Sequence, residues 1–319
     1  MKKILVSYTL PEEGIKPLKK HFEVISPTDK HSFSREEILE KIPEVDGYLA
    51  INVSVDADII DAASNLKIIA NYGVGYDSID VEYATQKGII VTNTPTAVTE
   101  ATAETAFGLM LAVLRNITYC DRKLRSDDSD FIWGMLQQHT GHSIYGKTLG
   151  IVGLGRIGRA VARRAVTFGM NTLYYQRNRL FDHFERQVSA RYVSLDELLE
   201  QSDVVSLHTP LTESTHHLLG AAELDKMKPS AYLINTARGP VIDEQALIKR
   251  LQTGKLAGAG LDVFEEEPHI PDELLQLENV VLTPHIGTET IEARIAMAHE
   301  AALNLVTFFE GTPPPHQVN

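Results

Sequence analysis

Three short polar segments follow apolar runs in the second half of this 319-residue chain. Asn235-Thr236-Ala237-Arg238-Gly239 follows AYLIN, Asp262-Val263-Phe264-Glu265-Glu266-Glu267-Pro268 follows AGAGL, and Thr283-Pro284-His285-Ile286-Gly287 follows NVVL. Ligands of open α/β sheets bind at the carboxyl ends of strands, so three such segments can converge on one crevice. An arginine forks onto a carboxylate with paired hydrogen bonds and polarises the adjacent carbonyl. A histidine titrates near neutral pH and can hand over a proton, and a glutamate beside it holds the ring and favours its charged form. Arg238, Glu267 and His285 therefore suit hydride transfer to a 2-oxo acid, with His285 as the proton donor. Singly, each has a plainer reading as an ion-paired arginine, an acidic turn before a proline or a capping histidine. Their joint placement favours chemistry.

A second motif lies upstream. Gly153-Leu154-Gly155-Arg156-Ile157-Gly158 follows the apolar strand TLGIV and opens the helical pattern RIGRAVARRAVTFG. In G-x-G-x-x-G the first glycine permits a tight turn, the second lets a pyrophosphate approach the backbone, and the third lets helix pack on strand. The free amides of the helix N-terminus then face the anion. The next strand, NTLYY, ends where a carboxylate would bond the adenosine ribose of NAD, but the residues there are Gln176, Arg177, Asn178 and Arg179. Without the acid and with two guanidinium groups, the turn predicts NADP(H) over NAD(H). The adjacent His216 and His217 are expected to diverge and to lack a Cys or Glu partner, and His139 and His142 sit in a polar stretch, so no metal site is expected.

These segments need a scaffold of alternating strands and helices. Runs at 3–8, 23–26, 47–51, 67–71 and 88–92 read as buried strands, with helical patterns between them. After a helix from Thr99 to Asn116 and an irregular polar arm from Asp121 to Gly146, strands recur at 148–153, 171–175, 191–193, 203–207, 231–235, 257–262 and 279–283. A last helix, Glu289 to Glu310, returns to the first domain, and the tail GTPPPHQVN is expected to fray. The reading is α/β with two doubly wound parallel-sheet domains, residues 1–99 plus 289–319 forming one and 100–288 the other. The length suits about two domains. Lys plus Arg total 30 against 43 Asp plus Glu, a net charge of −13 that repels nucleic acid. Cys120 is the single cysteine, and no apolar run approaches the roughly 18 residues of a membrane span, so a cytoplasmic protein is expected.

With these segments in order, the chain resembles the D-isomer-specific 2-hydroxyacid dehydrogenases. The matching stretches are NYGVGYDSID (71–80), NTPTAVTEATAE (93–104), GKTLGIVGLGRIGRAVA (146–162), LHTPLTEST (207–215), INTARGPVID (234–243), GLDVFEEEP (260–268) and LTPHIGT (282–288). The resemblance implies a Rossmann-type coenzyme domain inserted into a flavodoxin-like substrate (catalytic) domain, an active site in the interdomain cleft, and a homodimer. It places the catalytic trio on Arg238, Glu267 and His285. It places substrate carboxylate binding on Val74 and Gly75, beside Arg238 and His285. Coenzyme contacts fall on Gly153, Gly155, Arg156, Ile157 and Gly158, on His208, Thr209 and Pro210, on Thr236, Ala237 and Arg238, on Asp262, His285 and Gly287, and on Thr102.

Within that family the chain best resembles glyoxylate/hydroxypyruvate reductases. A 2-ketogluconate reductase, a D-lactate-type dehydrogenase and a dinucleotide-sensing corepressor are the alternatives, the last disfavoured by the net charge. Formate dehydrogenases carry glutamine where Glu267 stands. The missing acid after the second Rossmann strand departs from the family's usual pattern, as does GTET where many members have GSAT. The acid acted on depends on loop side chains such as Leu49 to Asn52 and Trp133.

Overall fold

The computed structural model describes residues 1–126 and 139–319, so Trp133 lies outside the described residues. The chain divides into two compact units, Met1–Val98 with Thr288–Asn319, and Thr99–Gly287. In the first unit β1 (Lys3–Val6), α1 (Glu12–His21), β2 (Glu23–Ile25), α2 (Arg35–Lys41), β3 (Gly47–Ala50), α3 (Ala57–Ala62), β4 (Ile68–Asn71), α4 (Val81–Gln86) and β5 (Ile90–Thr92) alternate. The second unit begins with α5 (Thr99–Leu114) and α6 (Ile117–Arg125). It continues through β6 (Thr148–Val152), α7 (Arg156–Thr167), β7 (Asn171–Tyr175), α8 (Asp182–Gln187), β8 (Ala190–Tyr192), α9 (Leu195–Gln201) and β9 (Val204–Leu207). Then come α10 (Ala221–Leu224), β10 (Tyr232–Asn235), α11 (Glu244–Gln252), β11 (Gly258–Leu261), α12 (Asp272–Leu275) and β12 (Val280–Leu282). The last helix, α13 (Ile291–Phe309), belongs to the first unit.

Six of the described helices start where the sequence supplies a side-chain acceptor. Ser34 and Glu37 form a capping box on α2, Asp56 and Asp80 cap α3 and α4, and Ser194, Asp243 and Thr290 cap α9, α11 and α13. Each cap satisfies an amide that has no intrahelical acceptor.

Both sheets are parallel throughout. The first has the order β2-β1-β3-β4-β5, the flavodoxin-like winding. Helices α1 and α13 pack against each other on one face, and Ile38, Tyr48, Ile59 and Ile69 belong to a buried cluster with α2–α4 on the other. The second sheet has the order β12-β11-β10-β9-β6-β7-β8. Counted from β6, this is the doubly wound 3-2-1-4-5-6 order with one further strand. Phe107, Met110 and Leu114 of α5 and Ala160, Val161 and Ala165 of α7 fill one face, and Leu198, Leu224, Leu247 and Leu251 fill the other. The winding reverses between β6 and β9, so the loops after these strands flank the opening where such sheets take ligands.

Two expectations are corrected. The polar arm is helical at its start, because Ile117–Arg125 continue as α6. The tail does not fray. Strand β5 is a sheet edge with unpaired backbone groups, and the tail supplies partners for them. Thr92 and Gln317 form an antiparallel bridge, Asn93 N donates to His316 O (3.1 Å), and Val318 N donates to Val91 O (2.9 Å). The proline run Pro313–Pro315 fixes φ, so less backbone entropy is lost on docking.

Asn319 closes this contact. Its Oδ1 accepts from Val91 N at 2.8 Å, and its Nδ2 donates to Thr85 Oγ1 at 2.7 Å and Ile89 O at 2.9 Å. Asn319→Ala is expected to cost about 1.5–4.5 kcal/mol, from roughly 0.5–1.5 kcal/mol for each of the three hydrogen bonds. Urea unfolding measures the loss, and an unchanged midpoint would place the tail outside the cooperative unit.

Candidate active site

The glycine loop forms first. Gly153 follows β6 at φ +94°, and a Cβ there would lie 2.5 Å from His208 O. A Cβ on Gly158 would lie 2.2 Å from Gly153 O, so the third glycine lets α7 sit against the loop. Gly155 differs: its φ of −71° suits any residue, and a Cβ on it would meet nothing within 4 Å. The chain's own packing gives no reason for glycine at that position; an anion drawn close to the backbone does. Gly155 is also the N-cap of α7 and supplies no side-chain acceptor, leaving the amides of Arg156 and Ile157 at a positive helix end. These features fit the pyrophosphate of a dinucleotide.

Further polar atoms in the second unit await partners. His208 follows β9 and bonds Ser206 Oγ through Nε2 (2.8 Å), while its buried Nδ1 has no hydrogen-bond partner among the described residues. Burial lowers the His208 pKa to about 4, so the ring is neutral. Thr236 Oγ1, after β10, is likewise buried without a partner among the described residues. Thr209 is half-buried and Pro210 exposed beside His208.

At the end of β7 the polar turn is divided in its duties. Gln176 Oε1 accepts from Leu154 N (3.0 Å) and its Nε2 donates to Asn178 O (2.6 Å), tying this turn to the glycine loop. Arg179 is committed to Glu185 through Nε and Nη2, both at 2.8 Å, with Asp182 3.4 Å away. The Arg179 hydrogen bond, with that of Tyr174, holds the Glu185 carboxyl down at about 2. Arg177 is exposed and has no ion pair among the described residues.

The catalytic candidates come from three strand ends. His285 follows β12 with φ 53°, a left-handed conformation uncommon outside glycine. Its N donates to Asp262 O (2.9 Å), and its Nδ1 meets Glu267 Oε2 at 2.7 Å. Nε2 has no protein partner among the described residues, and half of the side chain is exposed. Glu267 Oε1 accepts from Phe264 N at 3.0 Å, so both carboxylate oxygens are held. Burial pushes the Glu267 carboxyl up, but the bond to His285, its charge, the Phe264 amide and the Arg238 charge outweigh burial and lower it. Arg238, the residue before a short 3-10 turn after β10, directs Nη1 to Ala237 O at 2.7 Å. The structure thus brings the trio together as an ionised carboxylate, an oriented imidazole and a guanidinium.

Sequence reasoning named Asp262 and Thr102 only as coenzyme contacts and missed the hydrogen bonds that hold this arrangement. Asn235 Nδ2 donates to Arg238 O (2.9 Å) and its Oδ1 accepts from Ala237 N (3.0 Å). Such a local asparagine turn has a sequence signal. Asp262, 1% exposed, accepts from Thr283 Oγ1 (2.6 Å), Ile286 N (2.8 Å) and Gly287 N (2.8 Å), bracketing His285. Burial raises its carboxyl pKa against those bonds. Thr102 lies beside Gly287, where a Cβ would be 3.6 Å from Thr102 Cγ2. Glu244 and Glu265 exchange hydrogen bonds: Glu244 N donates to Glu265 Oε2 (3.3 Å) and Glu265 N to Glu244 Oε1 (3.2 Å). Burial raises the Glu244 carboxyl.

The expected divergence of His216 and His217 is also corrected. Their rings stack with centroids 4.1 Å apart, because His217 adopts φ 48°, and His217 Nε2 meets Glu265 Oε1 at 2.6 Å. Neighbours in sequence turn apart only while both keep ordinary backbone angles.

Val74 and Gly75 lie in the first unit. Asn71 Nδ2 draws in the carbonyls of Gly73 (3.0 Å) and Gly75 (2.8 Å), and Asn93 Nδ2 draws in that of Val74 (2.9 Å). With the carbonyls turned to these side chains, the amides of Val74 and Gly75 make no hydrogen bond among the described residues, an arrangement that suits an anion.

Residues 107–287 match the family described as D-isomer specific 2-hydroxyacid dehydrogenase, NAD binding domain. A glyoxylate reductase of Thermococcus onnurineus is 48% identical over 321 residues, covering 99% of this chain and 96% of that one. The crystal structure of a glyoxylate reductase from Paecilomyes thermophila is 38% identical with a TM-score of 0.89, covering 99% and 98%. An NADPH-dependent glyoxylate/hydroxypyruvate reductase from Sinorhizobium meliloti, solved with NADP and malonate, is 33% identical with a TM-score of 0.86, covering 99% and 96%. The chain belongs to the D-isomer-specific 2-hydroxyacid dehydrogenases. It is a nicotinamide-dinucleotide-dependent oxidoreductase that interconverts 2-oxo and D-2-hydroxy acids.

Asp262→Ala is expected to leave the buried Gly287 donor unmet, at about 1–3 kcal/mol, to lose the part-buried bond from Ile286 N, and to release His285. Thermal unfolding and kcat should therefore both fall. Full turnover in a folded variant would show that His285 is held by other contacts.

Proposed function

We propose that this enzyme is a glyoxylate/hydroxypyruvate reductase that uses NADPH in preference to NADH. The observation that carries the reading is the His285–Glu267 pair, which fixes one ring nitrogen and leaves Nε2 for substrate. The names of the Thermococcus, Paecilomyes and Sinorhizobium relatives support the substrate class.

The loop Gly153–Gly158, the turn Gln176–Asn178, His208–Pro210, Thr236–Ala237, Asp262, Gly287 and Thr102 would hold the dinucleotide, whose reduced nicotinamide supplies a hydride when bound. Arg238 binds the substrate carboxylate and polarises the neighbouring carbonyl. His285 delivers the proton to the carbonyl oxygen from Nε2 while Glu267 stabilises the imidazolium. The free amides of Val74 and Gly75 are the second carboxylate-binding feature of the chain in this reading. Arg179 is spent on Glu185, so the adenosine phosphate falls to Arg177. A homodimer accords with α6, which has no buried residue and leaves Ile117 55% and Leu124 54% exposed. A cytoplasmic setting accords with the single Cys120 and with the absence, among the described residues, of a helix long and apolar enough to cross a membrane.

Initial rates with glyoxylate, hydroxypyruvate, pyruvate and 2-ketogluconate, each with both coenzymes, test the assignment; pyruvate or 2-ketogluconate exceeding the first two would overturn it. His285→Ala should lose at least about 100-fold in kcat. Glu267→Gln should move the basic limb of the reduction pH–rate profile to lower pH, since the charge that favours imidazolium is gone. An unmoved limb would leave Glu267 without that role.

Arg177→Ala should raise the KM for NADPH by about 10- to 150-fold, the equivalent of roughly 1.5–3 kcal/mol for bonds to a charged group. The KM for NADH should stay the same. Equal kcat/KM for the two coenzymes in the unmutated enzyme would refute the preference.

A further inference from the structure

We propose that His216, His217 and Glu265 form a binding site for a zinc-class divalent ion, and that its occupancy slows turnover through the turn carrying Glu267. Among the described residues these three make a His/Cys/Asp/Glu group whose candidate ligand atoms all lie within 4.8 Å of one another. The left-handed backbone of His217 brings both rings to one side, and its N donates to Pro240 O at 2.8 Å, fixing that conformation. His217 Nε2 already meets Glu265 Oε1 at 2.6 Å. A bound metal replaces the proton shared by that pair.

Metal–nitrogen and metal–oxygen bonds of about 2.0–2.2 Å put tetrahedral ligands roughly 3.3 Å apart. The candidate ligand atoms, which all lie within 4.8 Å of one another, therefore need to close by at most about 1.5 Å. His216 is exposed, so its ring can turn to supply this movement. Two imidazoles and one carboxylate suit zinc, copper or nickel, whereas magnesium and calcium prefer oxygen ligands alone.

The coupling runs through Glu265. Its Oε2 accepts from Glu244 N, its own N donates to Glu244 Oε1, and it stands two residues before Glu267. Gly239, next to Arg238, packs so tightly on this turn that a Cβ there would lie 1.9 Å from Phe264 O. A metal that draws Glu265 toward His216 therefore pulls on the segment that orients Glu267.

Chelator-treated full-length enzyme, without substrate or coenzyme, is titrated with Zn²⁺ against a chromophoric chelator, so this test is separate from that of the assigned reaction. One Zn²⁺ per chain is expected. His216→Ala should weaken binding at least about tenfold while leaving metal-free turnover and thermal stability unchanged. Co²⁺ should give a visible d–d absorption band in the wild type that His217→Ala abolishes. Zn²⁺ should lower wild-type turnover and spare His216→Ala. Equal Zn²⁺ affinity in wild type and both histidine variants would overturn the site. Inhibition undiminished in His216→Ala would overturn the coupling and place the inhibitory ion elsewhere.

Discussion

A single buried carboxylate organises the chemistry of the second unit. Asp262 ends β11 and gathers Thr283, Ile286 and Gly287 from the loop after β12, while its carbonyl takes the N–H of His285. A charge so deeply buried is costly, and the three donors offset that cost. The same contacts hold His285 in a left-handed conformation that isolated histidine seldom adopts. Only from this position does its Nδ1 reach Glu267 and its Nε2 stay available.

The neighbouring strand ends repeat the principle with other groups. Asn235 fixes the turn of Arg238, the Phe264 amide fixes one oxygen of Glu267, and Glu244 and Glu265 clasp the two segments together. Each candidate catalytic side chain is thus held by a neighbouring polar group, as a preorganised site requires. The parallel sheet makes this possible by bringing the carboxyl ends of β10, β11 and β12 side by side.

Charge also divides labour on the coenzyme side. Gln176 spends its amide on the glycine loop, and Arg179 spends its guanidinium on Glu185. Two arginines that look equivalent in sequence are unequal in the fold, because among the described residues only Arg179 pairs with an acid.

The sequence by itself determined the alternation of strand and helix, the glycine loop and the three catalytic candidates. These are local patterns: a period of apolar residues, a spacing of glycines, a polar residue at a strand end. Tertiary structure decided the rest. The tail reads as mobile until the free edge of β5 gives its backbone somewhere to bond. The sequence shows nothing of the three donors, 21 to 25 residues away, that converge on Asp262. His216 and His217 read as divergent until one positive φ folds them together beside Glu265, 48 residues distant. Hydrogen bonds between residues remote in sequence leave no periodicity to read, because the distance that makes them is created only when the sheet assembles.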